Sequence, residues 1–175
     1  MSAPLYSQRI ARWRVPLGFV LGALVLWLAR PTGGALLFGA SVAAVGESLR
    51  IWAAGHLEKS REVTRSGPYR FVRHPLYLGT SLMGLGVAIA GGSVVVALIV
   101  LGYIGTTIPA AIRAEEAHLR DKFGGEYDSY VQRGSTPMTR RFSLTRAIGN
   151  REHHTVAGLV VALALLALKV QLSLP

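Results

Sequence analysis

The sequence predicts an all-α fold, a polytopic membrane helix bundle of about five transmembrane helices with a helical region on its cytoplasmic side. Three observations carry this expectation. Of the 175 residues, 51% are hydrophobic and only 16% charged, against about 25% charged in a soluble domain, and the mean hydropathy is +0.40. The apolar residues gather in long uncharged runs, the longest covering residues 76–112. The cationic residues gather between alternate runs. The length suits one domain, residues 1–175. The absence of Cys excludes disulfides, thiol nucleophiles and Cys-ligated zinc or iron–sulfur sites.

The spans follow in order. Residues 15–29 carry no charge. This run is short for a helix that needs roughly 17–25 apolar residues, and Trp13 with snorkelling Arg12 and Arg14 extends it. No signal-peptide cleavage pattern follows it; a second run does. That run, 33–57, is apolar except for Glu47, Arg50 and His56. Ions inside a membrane are expensive and tend to pair, so Glu47 and Arg50, at i,i+3, read as a structural pair facing the bundle. Gly91-Gly92-Ser93 divides the third run into spans 76–90 and 93–112 joined by a tight turn. The short third span is expected to thin the bilayer or to pack inside the bundle. The last span, 155–175, surrounds Lys169. Buried soluble helices would need more polar surface than five such runs leave. Gly84, Gly86, Gly102 and Gly105 permit close helix packing, but the sequence sets no oligomeric state.

Sixteen of the 19 Lys and Arg lie on one side of this topology. Arg9, Arg12 and Arg14 precede the first span. Five, from Lys59 to Arg73, lie between spans two and three. Eight, from Arg113 through Arg133 to Arg151, lie between spans four and five. The positive-inside rule places the N-terminus, the 58–75 segment and the 113–154 segment in the cytoplasm, and Pro175 across the cytoplasmic (inner) membrane. The same rule accounts for most of the net charge of +10. No nucleic-acid recognition motif accompanies it, so the expected partners are membrane lipids with anionic headgroups and no nucleic acid.

Two cytoplasmic segments carry chemistry. In Ser66–Gly79, Gly67-Pro68 signals a turn and Pro75 suits the first turn of a helix. Arg73 and His74 then stand at a helix mouth, whose free N–H groups and dipole favour an anion such as a carboxylate or phosphate. Tyr77 lies two residues further in. An interfacial belt of Tyr and Arg is the plainer alternative. In the second segment, Leu119, Phe123, Tyr127 and Tyr130 recur at helical spacing, with Gly124-Gly125 as an interruption. Glu115 and Glu116 sit where span four leaves the bilayer. The plainer reading pairs Glu116 with Arg113 and Arg120 on a solvated helix. His153-His154 is read as a loop pair with no metal-site spacing, and no GxGxxG follows a strand.

These residues resemble a known family. Val63-Thr64-Arg65-Ser66-Gly67-Pro68-Tyr69, then Arg73-His74-Pro75-Leu76-Tyr77-Leu78-Gly79, then Glu115-Glu116 and Phe123-Gly124-x-x-Tyr127-x-x-Tyr130 match the isoprenylcysteine carboxyl methyltransferases and the similar phospholipid N-methyltransferases. The match covers about residues 45–133, in order and spacing. The resemblance implies an integral membrane methyltransferase that uses S-adenosylmethionine at the cytoplasmic face. By position it assigns His74, Pro75, Leu76 and Tyr77 to the cofactor-binding block, with Arg73 beside it, and Tyr69 to a cofactor-contacting tyrosine. Residues 61–64, including Val63 and Thr64, match a backbone-contacting segment. Glu115 matches the cofactor-binding glutamate, and His56 aligns, across a gap, near a polar cofactor contact.

The acceptor is expected to be a lipophilic small molecule or lipid, prenylcysteine-like or a phospholipid amine, entering sideways from the bilayer. An ammonium acceptor must first lose its proton, which calls for a catalytic group such as Glu116 or a second histidine. Ala111 stands where the isoprenylcysteine enzymes carry a substrate-binding arginine. Arg113 is the nearby candidate, turned about 200° around the helix by the two-residue shift. A simple prenylated cysteine is therefore expected to be a poor acceptor, unless Arg113 or a residue of the 134–154 arm replaces the missing contact. Two other classes would use the same runs. One is an NADPH-dependent membrane reductase of sterol-reductase type, whose 2′-phosphate Glu115-Glu116 would repel. The other is a non-enzymatic membrane scaffold.

Overall fold

Thr32 begins the first well-capped helix, its hydroxyl accepting from the Ala35 N–H at 3.3 Å. In the computed structural model this helix is one of seven among the described residues. Residues 5–172 are described, except 133, 135 and 137, with side chains from residue 16 onward. Expectations resting on the side chains of Arg9, Arg12, Trp13 and Arg14, on Arg133 and on residues 173–175 lie outside the described residues.

The helices are α1 Leu5–Leu28, α2 Gly33–Ala54, α3 Pro75–Ala90, α4 Val94–Phe123, α5 Gly125–Val131, α6 Leu144–Gly149 and α7 Glu152–Gln171, with a 3₁₀ turn at Gly67–Arg70. The described residues contain no strand. Among the described residues three helices, α2, α4 and α7, are long and apolar enough to cross a membrane. Two apolar stretches, Pro16–Leu28 and Pro75–Ala90, are shorter. The five expected runs are thus all helical; of the two expected to be short, Pro75–Ala90 is a 16-residue helix and the first lies within α1, which is 24 residues long. The outer surface is apolar: Phe19, Trp27, Leu37 and Val94 are each more than 70% exposed, which only a membrane or a partner would cover.

Small residues draw α2 and α3 together. Gly39, Ala43 and Gly46 meet Gly79, Gly86 and Ala90 so closely that a Cβ on Gly46 would stand 2.6 Å from the Gly79 carbonyl. Gly84 fits against Ile104. Of the four glycines noted for close packing, Gly84 and Gly86 therefore serve contacts within the chain, while Gly102 and Gly105 face open space. At the end opposite the basic segments, Val25, Ala29, Ala90, Val96 and Leu166 form a core shared by α1, α3, α4 and α7. There Lys169 donates to the carbonyls of Ala29 (2.7 Å), Trp27 (3.1 Å) and Leu26 (3.3 Å), closing the orphan carbonyls of α1. The Gly91-Gly92 turn is pinned by the Arg30 N–H, 2.8 Å from the Gly91 carbonyl.

At the basic end, a segment running from Arg140 through α6 to Asn150 ties down the end of α2. Asn150 donates to the carbonyls of Ala54 and Leu57, both at 2.9 Å. Arg146 donates to the Gly55 carbonyl and Arg140 to that of His56 at 3.3 Å. Four successive carbonyls are thereby satisfied from one arm. The same arginines reach onward, Arg146 to Glu58 at 2.9 Å and Arg140 to Glu62 at 2.7 Å. The arm therefore fixes loop 55–64 to the bundle.

One expectation is corrected and one is extended. His153 and His154 do not lie in a loop: they form the first turn of α7, their rings 4.1 Å apart. Glu47 does pair with Arg50 inside the bundle, but a nearer partner joins it. The Glu47 carboxylate is 3.8 Å away, whereas Glu152 of α7 is at 2.7 Å. Sequence spacing finds only local partners, and this one arrives from 102 residues away.

Candidate active site

The turn before α3 builds one wall. Pro75 opens the helix and His74 is its N-cap residue, with no side-chain capping bond of its own. Its imidazole is free to turn away, and Nε2 lies 3.0 Å from Glu116 Oε1 of α4. Arg73 approaches the same oxygen at 3.7 Å, and Arg120 reaches Oε2 at 3.6 Å. The expected anion site thus exists, and an internal anion, the Glu116 carboxylate, stands in it. Among the described residues Arg113 has no ion-pair partner; it is exposed.

The break after α4 builds the second wall. Gly124, at φ +50°, adopts the left-handed conformation that glycine takes without strain. The chain turns back into α5, whose aromatic residues face the turn before α3. Tyr130 Oη donates to the Tyr69 carbonyl at 2.9 Å, and Tyr127, 1% exposed, has a hydroxyl with no partner among the described residues. Burial first, then the nearby Glu116 charge, pushes the Tyr127 hydroxyl up to about 12. Burial and the Glu115 charge raise Tyr69 further. Both are neutral hydroxyls at neutral pH.

These walls enclose a cavity of about 890 Å³, near the upper end of ligand-site volumes, roughly 300–1,000 Å³. Its polar end is lined by Val63 and Thr64 of loop 55–64, by Tyr69, Arg73, His74, Pro75, Leu76 and Tyr77 around the start of α3, and by Glu115 of α4. Its other end reaches between α1 and α4 to Gly18, Phe19, Tyr103 and Ile104. The strongly exposed Phe19 stands at that end. Ala111 lies in the wall on α4.

Three residues singled out from the sequence do not line it. Glu116 sits behind His74, Arg113 points outward, and His56 is buried under the turn. His56 Nδ1 lies 3.1 Å from Ser66 Oγ, and the ring packs toward Trp52 and Phe142. Gly67, at φ +56°, is required there twice over, because a Cβ would also stand 2.5 to 2.8 Å from the His56 ring. Burial, then the charges of Arg146 and Arg140, lowers the His56 pKa and keeps the ring neutral. Conversely Arg50, Thr80, Asn150 and Glu152 line the cavity unannounced. The ion pair expected inside span two was the one available signal; it named Glu47 and could not name the nearer Glu152.

Comparison with known proteins follows the same outline. The sequence profile of phospholipid methyltransferases matches residues 17–126, a segment that carries the turn before α3 and the lining residues of α4 but not Tyr127, Tyr130 or α7. The chain belongs to the phospholipid methyltransferase family. It is 32% identical over 154 residues to the nickel-cobalt-cadmium resistance protein NccN of Alcaligenes xylosoxydans xylosoxydans, covering 82% of this chain and 70% of NccN. It is also 32% identical over 139 residues to the cobalt-zinc-cadmium resistance protein CzcN of Cupriavidus metallidurans, covering 74% of this chain and 62% of CzcN. No solved structure matches the chain. Among the described residues no group of three or more His, Asp and Glu is placed to hold a metal ion.

Proposed function

We propose that this family member transfers a methyl group from S-adenosylmethionine to a lipophilic acceptor, isoprenoid, prenylcysteine-like or a phospholipid amine, at the cytoplasmic face of the inner membrane. The supporting observation is one cavity with two unlike ends, a polar end built from the family's own segments and an apolar end between α1 and α4. The donor set fits this cofactor. Glu115 suits an ammonium, the Tyr127 hydroxyl lacks a partner, and the rings of Tyr69 and Tyr77 can face a cation. The Arg73–His74 mouth of α3 suits a carboxylate, in exchange for or beside Glu116.

S-adenosylmethionine, when bound, supplies an electrophilic methyl on a sulfonium. The chain's part is to hold and align the two reactants and to exclude water. Glu116 then acts through His74 as a positioning residue, its hydrogen bond fixing the ring. The relatives' names link those proteins to nickel, cobalt, zinc and cadmium resistance. For this chain we assign resistance no separate chemistry.

Binding of radiolabelled S-adenosylmethionine and of NADPH to detergent-purified protein tests the reading. S-adenosylmethionine should bind and NADPH should not. Removing a charge-assisted contact costs about 1.5–3 kcal/mol, so Glu115→Ala and His74→Ala should each weaken binding by roughly 10- to 150-fold. Parent-like binding in both variants, or binding of NADPH alone, would refute it.

A further inference from the structure

The cavity is also lined by a polar group that the methyl-transfer reading does not use. The group is Arg50 of α2 with Glu152 of α7, their side chains 17% and 6% exposed. Arg50 lies one turn before the end of α2, and Thr80, its partner, one turn into α3. This is the level at which a lipid held between α1 and α4 would present its headgroup to the polar end.

The guanidinium is already engaged. Nε donates to Glu152 Oε1 at 2.7 Å, Nη1 to the Thr80 hydroxyl and to the Leu76 carbonyl at 3.4 Å, and Nη2 to the Thr155 hydroxyl at 3.3 Å. Four contacts on a fork of five N–H donors leave little for an incoming anion. Independently, Glu47 of α2 stands behind Arg50 with its side chain 7% exposed, 3.8 Å from Nε. Neither of its oxygens has a hydrogen-bond partner among the described residues. Two carboxylates therefore face one guanidinium. Like charges brought together at low dielectric repel strongly, and a third anion would meet both. On the facing helix Ala111 supplies no cation. Lys59, Arg73, His74 and His118 line the cavity too, but toward loop 55–64 and the outer turns of α4.

We propose that Arg50 and Glu152 form the headgroup site for the acceptor, which takes a headgroup carrying an N–H or O–H donor and refuses a carboxylate. The proposal rests on the reading of the cavity as a methyl-transfer site. Glu152 accepts from the headgroup while Arg50, held by α3 and α7, keeps that carboxylate in place. Because Glu152 lies beyond the family-matched residues 17–126, acceptor choice is here a property of α7.

The test is competition in phosphatidylcholine nanodiscs holding the whole chain. A diazirine-tagged dodecanol labels the cavity, and dodecylamine, dodecanol or dodecanoate competes. Dodecylamine should displace the label from α1 and α4 peptides at a concentration at least about tenfold below dodecanoate, the value of one charge-assisted hydrogen bond. Glu152→Gln should abolish the difference and Glu152→Asp should retain it. Dodecanoate competing as well as dodecylamine in the parent protein overturns the proposal, whatever the variants do. A ranking that survives Glu152→Gln overturns the assignment to Glu152. S-adenosylmethionine binding, measured on the same samples, separates the two readings: its absence refutes methyl transfer and leaves the headgroup ranking to be judged by itself.

Discussion

At the scale of single residues, His56 shows what burial does to a histidine that looks functional in sequence. It sits in a motif-rich stretch, yet it is 5% exposed and supports the Ser66–Gly67 turn. Its folded-state pKa is lowered from 6.5, so the unfolded chain takes the proton first as the pH falls. Its contribution to stability is therefore complete above pH 6.5 and declines below it. Thermal unfolding followed from pH 8 to 5 should show Tm falling below about 6.5, the histidine's ordinary value. Part of that fall should be missing in His56→Gln. An identical pH profile in the two proteins would mean that the ring carries no such linkage. His74 and Glu115 could be placed in the sequence because a helix mouth and a membrane exit both leave local marks. Arg50 and Glu152 could not be joined, because nothing local announces a partner on another helix.

At the scale of elements, the arm from Arg140 to Asn150 turns a loop into a wall. Loop 55–64 contributes Val63 and Thr64 to the cavity, but it has no helix of its own to hold it. The arm provides the donors for four carbonyls and an arginine each for Glu58 and Glu62. Hydrogen bonding to Arg146 in particular lowers the Glu58 pKa. An unsatisfied buried carbonyl costs about 1–3 kcal/mol. Arg146→Ala combined with Asn150→Ala should therefore leave the bundle folded and loosen the loop, seen as faster amide exchange over 55–64 while α2 and α3 keep their protection. Exchange unchanged in the loop would show that the arm is not what orders it. The spans were legible because uncharged runs are long and their breaks are charged or glycine-rich. The arm was not, since it has no apolar periodicity. Ser143, whose hydroxyl accepts from the Arg146 N–H at 3.3 Å, is the capping signal that could have marked α6.

At the scale of the whole molecule, five long helices run alternately, and the basic segments gather at one end. Since the sequence sets sixteen of its 19 cations in the N-terminal, 58–75 and 113–154 segments, that end should face the cytoplasm. Reporters fused at residue 1 and at residue 175 should give opposite signals; like signals would remove one crossing from this topology. One more consequence comes from Lys169 and Glu152, which dock the two ends of α7 on α1 and α2. During synthesis α7 is the last described helix to emerge. Until it inserts, the C-terminal carbonyls of α1 lack their lysine, and Arg50 lies in the membrane without its nearest counter-ion. The nascent bundle therefore has an incomplete site and an uncompensated charge at the same moment, and both are remedied by one insertion. Quality-control proteases that recognise polar defects within the bilayer would meet every copy in which that step fails, so that the charge which shapes the finished cavity also marks the unfinished protein for removal.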